Sequence, residues 1–235
     1  MCLVSFWKMK SGKVIMTSNR DEAPARSVNQ IQNENIEGQS LVYPQDTEGG
    51  SWFFISSKKS VAIVLNGAFK THKRQDKYRM SRGLMLKEYF SFENFPQFLN
   101  LYDFQNIEPF TMIVFENEKL YEFRWDGAVK DIEVLSIDEL HVWSSCTLYT
   151  THQEQLRKNK FLEMFQEGNT EPVDQLIKDI HLKGKVGNPQ FDFLMNREER
   201  VKTISFSQAI IKQEKIEFSF ENLLYGGLHQ EIVAI

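Results

Sequence analysis

The order of strand-like and helix-like segments most constrains the fold of this 235-residue chain. Runs rich in β-branched and aromatic residues predict strands, and apolar residues three or four positions apart predict helices. The strand patterns cover residues 2–7, 14–17, 51–56, 61–65, 110–115, 120–125, 129–135, 203–212 and 216–220, and the helix patterns cover 82–90, 94–102, 153–165 and 172–180. Because runs of strands alternate with pairs of helices, the order favours an α+β fold with mostly antiparallel sheets over a doubly wound parallel fold.

The connections between these elements add two expectations. The segment 23–50 is polar and weakly patterned, so we expect a long loop there, of the kind that is functional or disordered. Ser91 is a plausible N-cap between the first two helices. Because no internal repeat or linker interrupts the chain, we predict one domain over residues 1–235.

Composition excludes several classes of protein. Twenty-eight Lys and Arg against 32 Asp and Glu leave a net charge of −4, which argues against a nucleic-acid binder. Two cysteines, Cys2 and Cys146, exclude a disulfide framework and a metal site made of cysteine alone. No apolar run approaches the roughly 20 residues of a membrane span or resembles a signal peptide, so we predict a cytoplasmic protein with no membrane span.

Common cofactor motifs are absent from the sequence. It contains neither the glycine-rich loops that cradle nucleotides nor a Gly-x-Ser-x-Gly elbow. No histidine stands at ligand spacing from another histidine or a cysteine, so we expect structural or solvated roles for His72, His141, His152, His181 and His229. We therefore predict no metal and no cofactor.

Cysteine at position 2 is the strongest chemical feature. Removal of Met1 would give Cys2 both a thiol and a free α-amine, with ordinary pKa values of about 8.5 and 7.7–8.0. The amine can then accept the thiol proton, so that one residue supplies nucleophile and general base. The alternative is a small core residue at the start of a strand.

A polar tetrapeptide, Asn19-Arg20-Asp21-Glu22, ends the second strand of the first hairpin. The hairpin places it beside the start of the first strand, and hence beside Cys2. A carboxylate there would hold the α-ammonium, and a guanidinium would favour a thiolate or bind an anionic group. The alternative is a solvated turn with an Arg–Asp pair.

These motifs together resemble a known family. The chain has Met-Cys at its start, Asn-Arg-Asp-Glu at residues 19–22, Gly-Gly-x-Trp at residues 49–52, Asn66 after an apolar strand, and Arg82-Gly83 before a helix. In this order they are similar to the NRDE family, also called the transport and Golgi organisation protein 2 family. The resemblance extends end to end, because the late hairpin from residue 202 to residue 220 also fits.

The resemblance implies an N-terminal-nucleophile (Ntn) hydrolase-like fold, a four-layer αββα sandwich with two antiparallel sheets. It also implies candidate catalytic residues: Cys2 as nucleophile and base, Asp21 orienting the amine, and Asn66 donating to the oxyanion. Arg20 is a candidate catalytic residue as well, and the candidate binding residues are Asn19, Glu22, Trp52 and Arg82.

The chain departs from the wider hydrolases at two places. They often read Arg-Asn-x-Asp, whereas this chain has Ser18 before Asn19; Arg20 shares a strand face with residue 18 and is the candidate replacement. Ser145-Cys146 stands where Ser-Asn is often seen before the long helix. We interpret Cys146 as a buried, inert thiol.

A basic stretch follows Asn66 directly. The stretch contains one acidic residue, Asp76, and six positive residues. The positive residues are Lys70, Lys73, Arg74, Lys77, Arg79 and Arg82. A solvated loop is one interpretation, and the other is a basic rim that attracts an anionic small molecule such as a carboxylate, a phosphate or acyl-CoA.

Two functions follow as hypotheses. The first is a cysteine hydrolase or acyltransferase that acts, after removal of Met1, on a small non-peptide amide or thioester. The second is a catalytically silent binding or trafficking protein for a lipid, acyl-CoA or haem-like ligand. Both imply a small-molecule partner and no nucleic acid.

Overall fold

Two antiparallel sheets and two pairs of helices build the chain. The computed structural model describes residues 3–47, 49–168 and 172–235. The first sheet contains β1 (Leu3–Lys8), β2 (Val14–Glu22), β10 (His141–Trp143), β11 (Asn196–Arg197), β12 (Val201–Ile211), β13 (Lys215–Asn222) and β14 (Leu228–Ala234). The second contains β3 (Ile31–Ile36), β4 (Gln39–Pro44), β5 (Phe53–Ser56), β6 (Ser60–Asn66), β7 (Phe110–Glu116), β8 (Lys119–Trp125) and β9 (Lys130–Leu135). The helices are α1 (Arg82–Tyr89), α2 (Phe95–Leu101), α3 (Thr151–Glu167) and α4 (Val173–Lys183).

The strand order explains how distant segments meet. The first sheet runs β10-β1-β2-β12-β13-β14, with β11 beside β12, and the second runs in chain order from β3 to β9. The strand pairings along these paths are antiparallel, and β2 lies between β1 and β12. The late hairpin of β12 and β13 therefore contacts the first hairpin directly.

The two sheets pack face to face through aromatic side chains. Phe6 contacts Phe115 and Phe53 contacts Phe218, each pair with ring centroids 5.7 Å apart. Since successive strand residues point to opposite faces, one set of side chains fills this central layer and the other set receives the helices.

The helices cover the outer faces of the sheets. Phe161 of α3 and Ile177 of α4 pack with Ile15 of β2 on the first sheet. Met85 of α1 and Phe98 of α2 join the apolar cluster of the second sheet. This arrangement confirms the α+β fold and the four-layer αββα sandwich.

The expectation of one long loop over residues 23–50 is wrong. A short 3-10 turn (Pro24–Arg26) and the β3–β4 hairpin occupy much of this segment, with positive φ angles at Glu37 (49°) and Gly38 (73°) in the tight turn. Strand β3 is the edge of its sheet and is partly exposed, so its sequence lacks the apolar alternation of an inner strand.

Two smaller differences also concern local signals. Asn94, and not Ser91, caps α2, since its side chain accepts a hydrogen bond from the backbone N–H of Gln97 at 2.9 Å. The sequence patterns also missed β10, β11 and β14, which are short or largely exposed. In the described part of the chain, no helix is both long and apolar enough to cross a membrane.

Candidate functional site

Strand β2 carries the predicted polar tetrapeptide between two partner strands. On one side Leu3 of β1 pairs with Asn19, and on the other Thr203 of β12 pairs with Asp21. Alternation along the strand sends Asn19 and Asp21 toward the layer of α3 and α4, while Arg20 points between the sheets. Cys2 lies outside the described residues.

Asn19 ties the strand to the helix layer. Its amide nitrogen donates to the backbone oxygens of His181 (3.0 Å) and Phe193 (2.9 Å), and its side-chain oxygen lies 3.1 Å from His181 Nδ1. The other ring nitrogen of His181 lies 2.8 Å from Ser5 Oγ. Complete burial, with a contribution from Arg157, lowers the pKa of His181 to about 3, so the ring is neutral. This agrees with the structural role predicted for the histidines.

Asp21 is buried and accepts two hydroxyl hydrogen bonds. Tyr149 Oη donates to Oδ2 at 2.8 Å and Thr203 Oγ1 donates to Oδ1 at 2.6 Å. Hydrogen bonds to both oxygens of a carboxylate fix its orientation. Neither donor was apparent from the sequence, because they stand 128 and 182 positions away from Asp21.

Arg20 lies on the other side of the strand, in a charged cluster. Its Nη2 donates to Asp46 Oδ2 at 2.6 Å, and its guanidinium carbon lies 4.0 Å from the ring centroid of Trp52. Arg26 also donates to Asp46 Oδ2 at 2.6 Å and pairs with Glu22 at 3.0 Å. Burial lowers the pKa of Arg20, whereas Asp46 opposes that shift. Asp46, which holds both guanidinium groups, was missed in the sequence because it lies in the segment interpreted as a loop.

The two glycine motifs meet backbone to backbone. A Cβ on Gly83 would lie 2.7 Å from the carbonyl oxygen of Ser51, and a Cβ on Gly50 would lie 2.9 Å from the carbonyl carbon of Gly83. Only glycine permits such an approach. This close approach brings Trp52 and Arg82, which stand next to these glycine motifs in the sequence, to the wall of one cavity.

That cavity has a volume of about 350 Å³. Five predicted residues line it together: Arg20, Glu22, Trp52, Asn66 and Arg82. Asn19 and Asp21 are not among its lining residues, since they point to the opposite face of the sheet. The remaining lining residues are Arg26, Asp46, Gly50, Ser51, Val64, Arg74, Gln75, Asp76, Tyr78, Met80, Ser81, Gly83 and Glu108.

The charges of the cavity wall are balanced among the residues that the structure describes. Four arginines face four carboxylates, and Glu108 lies 3.1 Å from Arg82 and 3.9 Å from Arg74. His72 Nε2 also contacts Glu108, at 3.2 Å. Arg82 donates a further hydrogen bond to the backbone oxygen of Pro109 at 3.1 Å. Burial lowers the pKa of Arg82, with Glu108 acting in the opposite direction. The basic stretch alone did not reveal Glu108, which lies beyond α2.

Asn66 contacts the segment that precedes α3. Ser145 Oγ donates to its backbone oxygen at 2.7 Å, whereas its side-chain amide has no hydrogen bond to a described residue. Next to it, Gly67 has φ +81°, and a Cβ there would lie 2.5 Å from Cys146 Sγ. Cys146 is buried, as predicted, and burial raises its pKa to about 11. Its low reactivity remains a prediction.

Metal ligands do not cluster at this site. No group of three or more His, Cys, Asp or Glu side chains within the described ranges is arranged to hold a metal ion.

Solved structures with the same architecture have very different sequences. A variant of the conjugated bile acid hydrolase from Clostridium perfringens matches with a TM-score of 0.56 and 10% identity, covering 98% of this chain and 92% of that chain. The penicillin V acylase from Agrobacterium tumefaciens matches with a TM-score of 0.56 and 9% identity, covering 97% of this chain and 85% of that chain. At such low identity the likeness establishes the Ntn-hydrolase fold alone.

Sequence comparison establishes the family. A search of curated proteins finds no match to the chain. The model of the family described as Transport and Golgi organisation 2 matches residues 1–229, nearly the whole length. The resemblance inferred from the motifs is thereby confirmed, and the chain belongs to the Transport and Golgi organisation 2 family.

Proposed function

We propose that this protein is an N-terminal-nucleophile cysteine hydrolase or acyltransferase acting on a small polar amide or thioester after removal of Met1. The observation that carries the proposal is the pairing of Leu3 with Asn19, because the next residue along that strand, Arg20, lines the cavity. Cys2 precedes Leu3 in the chain. The proposal therefore expects the nucleophile to act near the strand segment that holds Arg20 and Asp21.

The proposed roles follow from the chemistry of each group. The α-amine of Cys2 accepts the thiol proton, and Asp21 orients the resulting ammonium. The thiolate adds to the carbonyl carbon, and the amide N–H of Asn66 donates to the developing oxyanion. The carbon–nitrogen bond of an amide, or the carbon–sulfur bond of a thioester, then breaks as the ammonium returns its proton to the leaving nitrogen or sulfur. Water, or an acceptor amine, then cleaves the acyl-cysteine thioester, which releases the product and restores the thiol.

The cavity supports a small polar substrate. Its volume of about 350 Å³ is at the small end of the usual range for ligand sites, roughly 300–1,000 Å³. The described part of its wall carries four arginines and four carboxylates, and covering these with a long acyl chain or a haem-like group would desolvate them without compensation. An anionic substrate remains a prediction, because Glu108 already accompanies Arg82.

Intact-mass analysis of the protein from its native host is the first test. We expect Met1 to be absent and Cys2 to react with iodoacetamide at pH 7 roughly ten times faster than an ordinary thiol. Hydrolysis of a panel of small N-acyl amino acids should be lost in Cys2→Ala and retained in Cys146→Ala, which serves as the matched control.

Two outcomes would contradict the proposal. Quantitative retention of Met1 removes the N-terminal nucleophile. Loss of Met1 with ordinary reactivity at Cys2 identifies a catalytically silent site, and a silent binding protein becomes the better hypothesis.

A further inference from the structure

Tyr149 and Arg157 form a buried unit behind Asp21. The guanidinium carbon of Arg157 lies 4.2 Å from the centroid of the Tyr149 ring, and the phenol of Tyr149 donates to Asp21 at 2.8 Å. Arg197 lies on the same ring at 5.4 Å. Cations over an aromatic face are attracted to its electron density, and they hold the ring in place.

Arg157 is itself held rigidly by the chain. It is fully buried, and a fully buried arginine usually has partners for its guanidinium group. Its Nε donates to Ser144 Oγ at 3.0 Å, and its Nη1 donates to the backbone oxygens of Phe191 (2.8 Å) and Asp192 (2.6 Å). The side chain therefore connects α3 with the segment before β11 at a defined position beneath Tyr149.

Thr203 completes the support on the other carboxylate oxygen. Its hydroxyl oxygen accepts a hydrogen bond from the backbone N–H of Met195 at 2.9 Å, so the hydroxyl hydrogen can point to Asp21 at 2.6 Å. Thr203 thus approaches Asp21 from strand β12 and Tyr149 from the segment before α3, and each holds one oxygen of the carboxylate. Such a double constraint fixes the plane of a carboxylate.

From this geometry we infer that Tyr149 is a positioning residue, which acts with Thr203 to orient the Asp21 carboxylate and is itself fixed by Arg157. The inference rests on the proposed function, in which Asp21 orients the α-ammonium of Cys2. If the phenol is removed, the carboxylate can rotate, and the amine spends less time beside the thiol. Neither Tyr149 nor Thr203 is among the residues that line the cavity.

The test measures iodoacetamide alkylation of Cys2 in the full, Met1-processed protein at pH 7. We expect Tyr149→Phe and Thr203→Val to slow alkylation about tenfold, whereas Thr203→Ser, which keeps a hydroxyl, restores the wild-type rate. Tyr225→Phe removes a phenol hydroxyl from an exposed side chain and should leave the rate unchanged. Melting temperatures measured in parallel separate this effect from a loss of stability.

The outcomes distinguish this inference from the proposed function. If Cys2 is activated in the wild type and Tyr149→Phe reacts at the same rate, the inference is overturned while the proposed function stands. If wild-type Cys2 reacts as an ordinary thiol, the proposed function fails, and NMR then decides about Tyr149. A slowly exchanging Tyr149 hydroxyl proton supports the positioning contact, and its absence in the wild type overturns it.

Discussion

The buried ring of His181 predicts a specific loss of stability in mild acid. The ring lies between Ser5 and Asn19, and burial lowers its pKa from 6.5 to about 3. Protonation would place an unpaired charge in the interior, where Arg157 adds repulsion. Acidification should therefore favour the unfolded chain, in which the imidazole binds a proton freely.

The sign and size follow from proton linkage. A histidine whose folded pKa is lowered contributes stability that is complete above the unfolded value of 6.5 and is lost as the pH falls from there toward 3. Each pH unit inside this window costs about 1.4 kcal/mol. At about pH 5 the His181 contribution to the free energy of unfolding should thus fall by about 2 kcal/mol.

Urea unfolding at about pH 8 and about pH 5 measures this contribution. His181→Gln lowers stability at both values because it disturbs the contacts to Ser5 and Asn19, but it should lose about 2 kcal/mol less between them than the wild type does. His229→Gln changes an exposed ring and should follow the wild type. Equal losses in His181→Gln and the wild type would refute the assignment of the acid sensitivity to this ring.

Two further variants test the packing around the cavity. Gly67→Ala should lower the free energy of unfolding by about 2–3 kcal/mol, because φ is +81° and the new methyl would lie 2.5 Å from Cys146 Sγ. Urea unfolding should show that the double variant with Cys146→Ala recovers part of this free energy. An unchanged free energy in the single variant would contradict the close approach. Asp46→Asn should destabilise by about 3 kcal/mol or more, because it leaves the buried Arg20 charge without its 2.6 Å partner. Glu118→Gln, in which the lost carboxylate is about half exposed, should cost less than about 1 kcal/mol, and a similar loss in both variants would argue against the buried pair.

Local patterns succeeded for strands that are mostly buried. The apolar residues of β7 and β8 predicted both strands within a residue or so, since β7 is buried along its whole length and β8 at most of its positions. Strand β3 escaped prediction because it is an edge strand with little apolar surface to bury. The cap of α2 was placed three residues too early because Ser91 and Asn94 carry similar capping signals and only the helix geometry selects between them.

The sequence alone was sufficient for the fold class, the family and the candidate residues Cys2, Arg20, Asp21 and Asn66, because these depend on short-range periodicity and on motifs in order. The tertiary structure decided that Arg20 and Asn66 share a cavity and that Asp21 does not line it. Strand alternation turns Arg20 toward Trp52 and Asp21 toward the helix layer, and the residues that hold them, among them Tyr149, come from segments far along the chain. Hydrogen bonds and ion pairs require contact within about 3 Å, and only the packing of two sheets and four helices determines which distant side chains reach that distance.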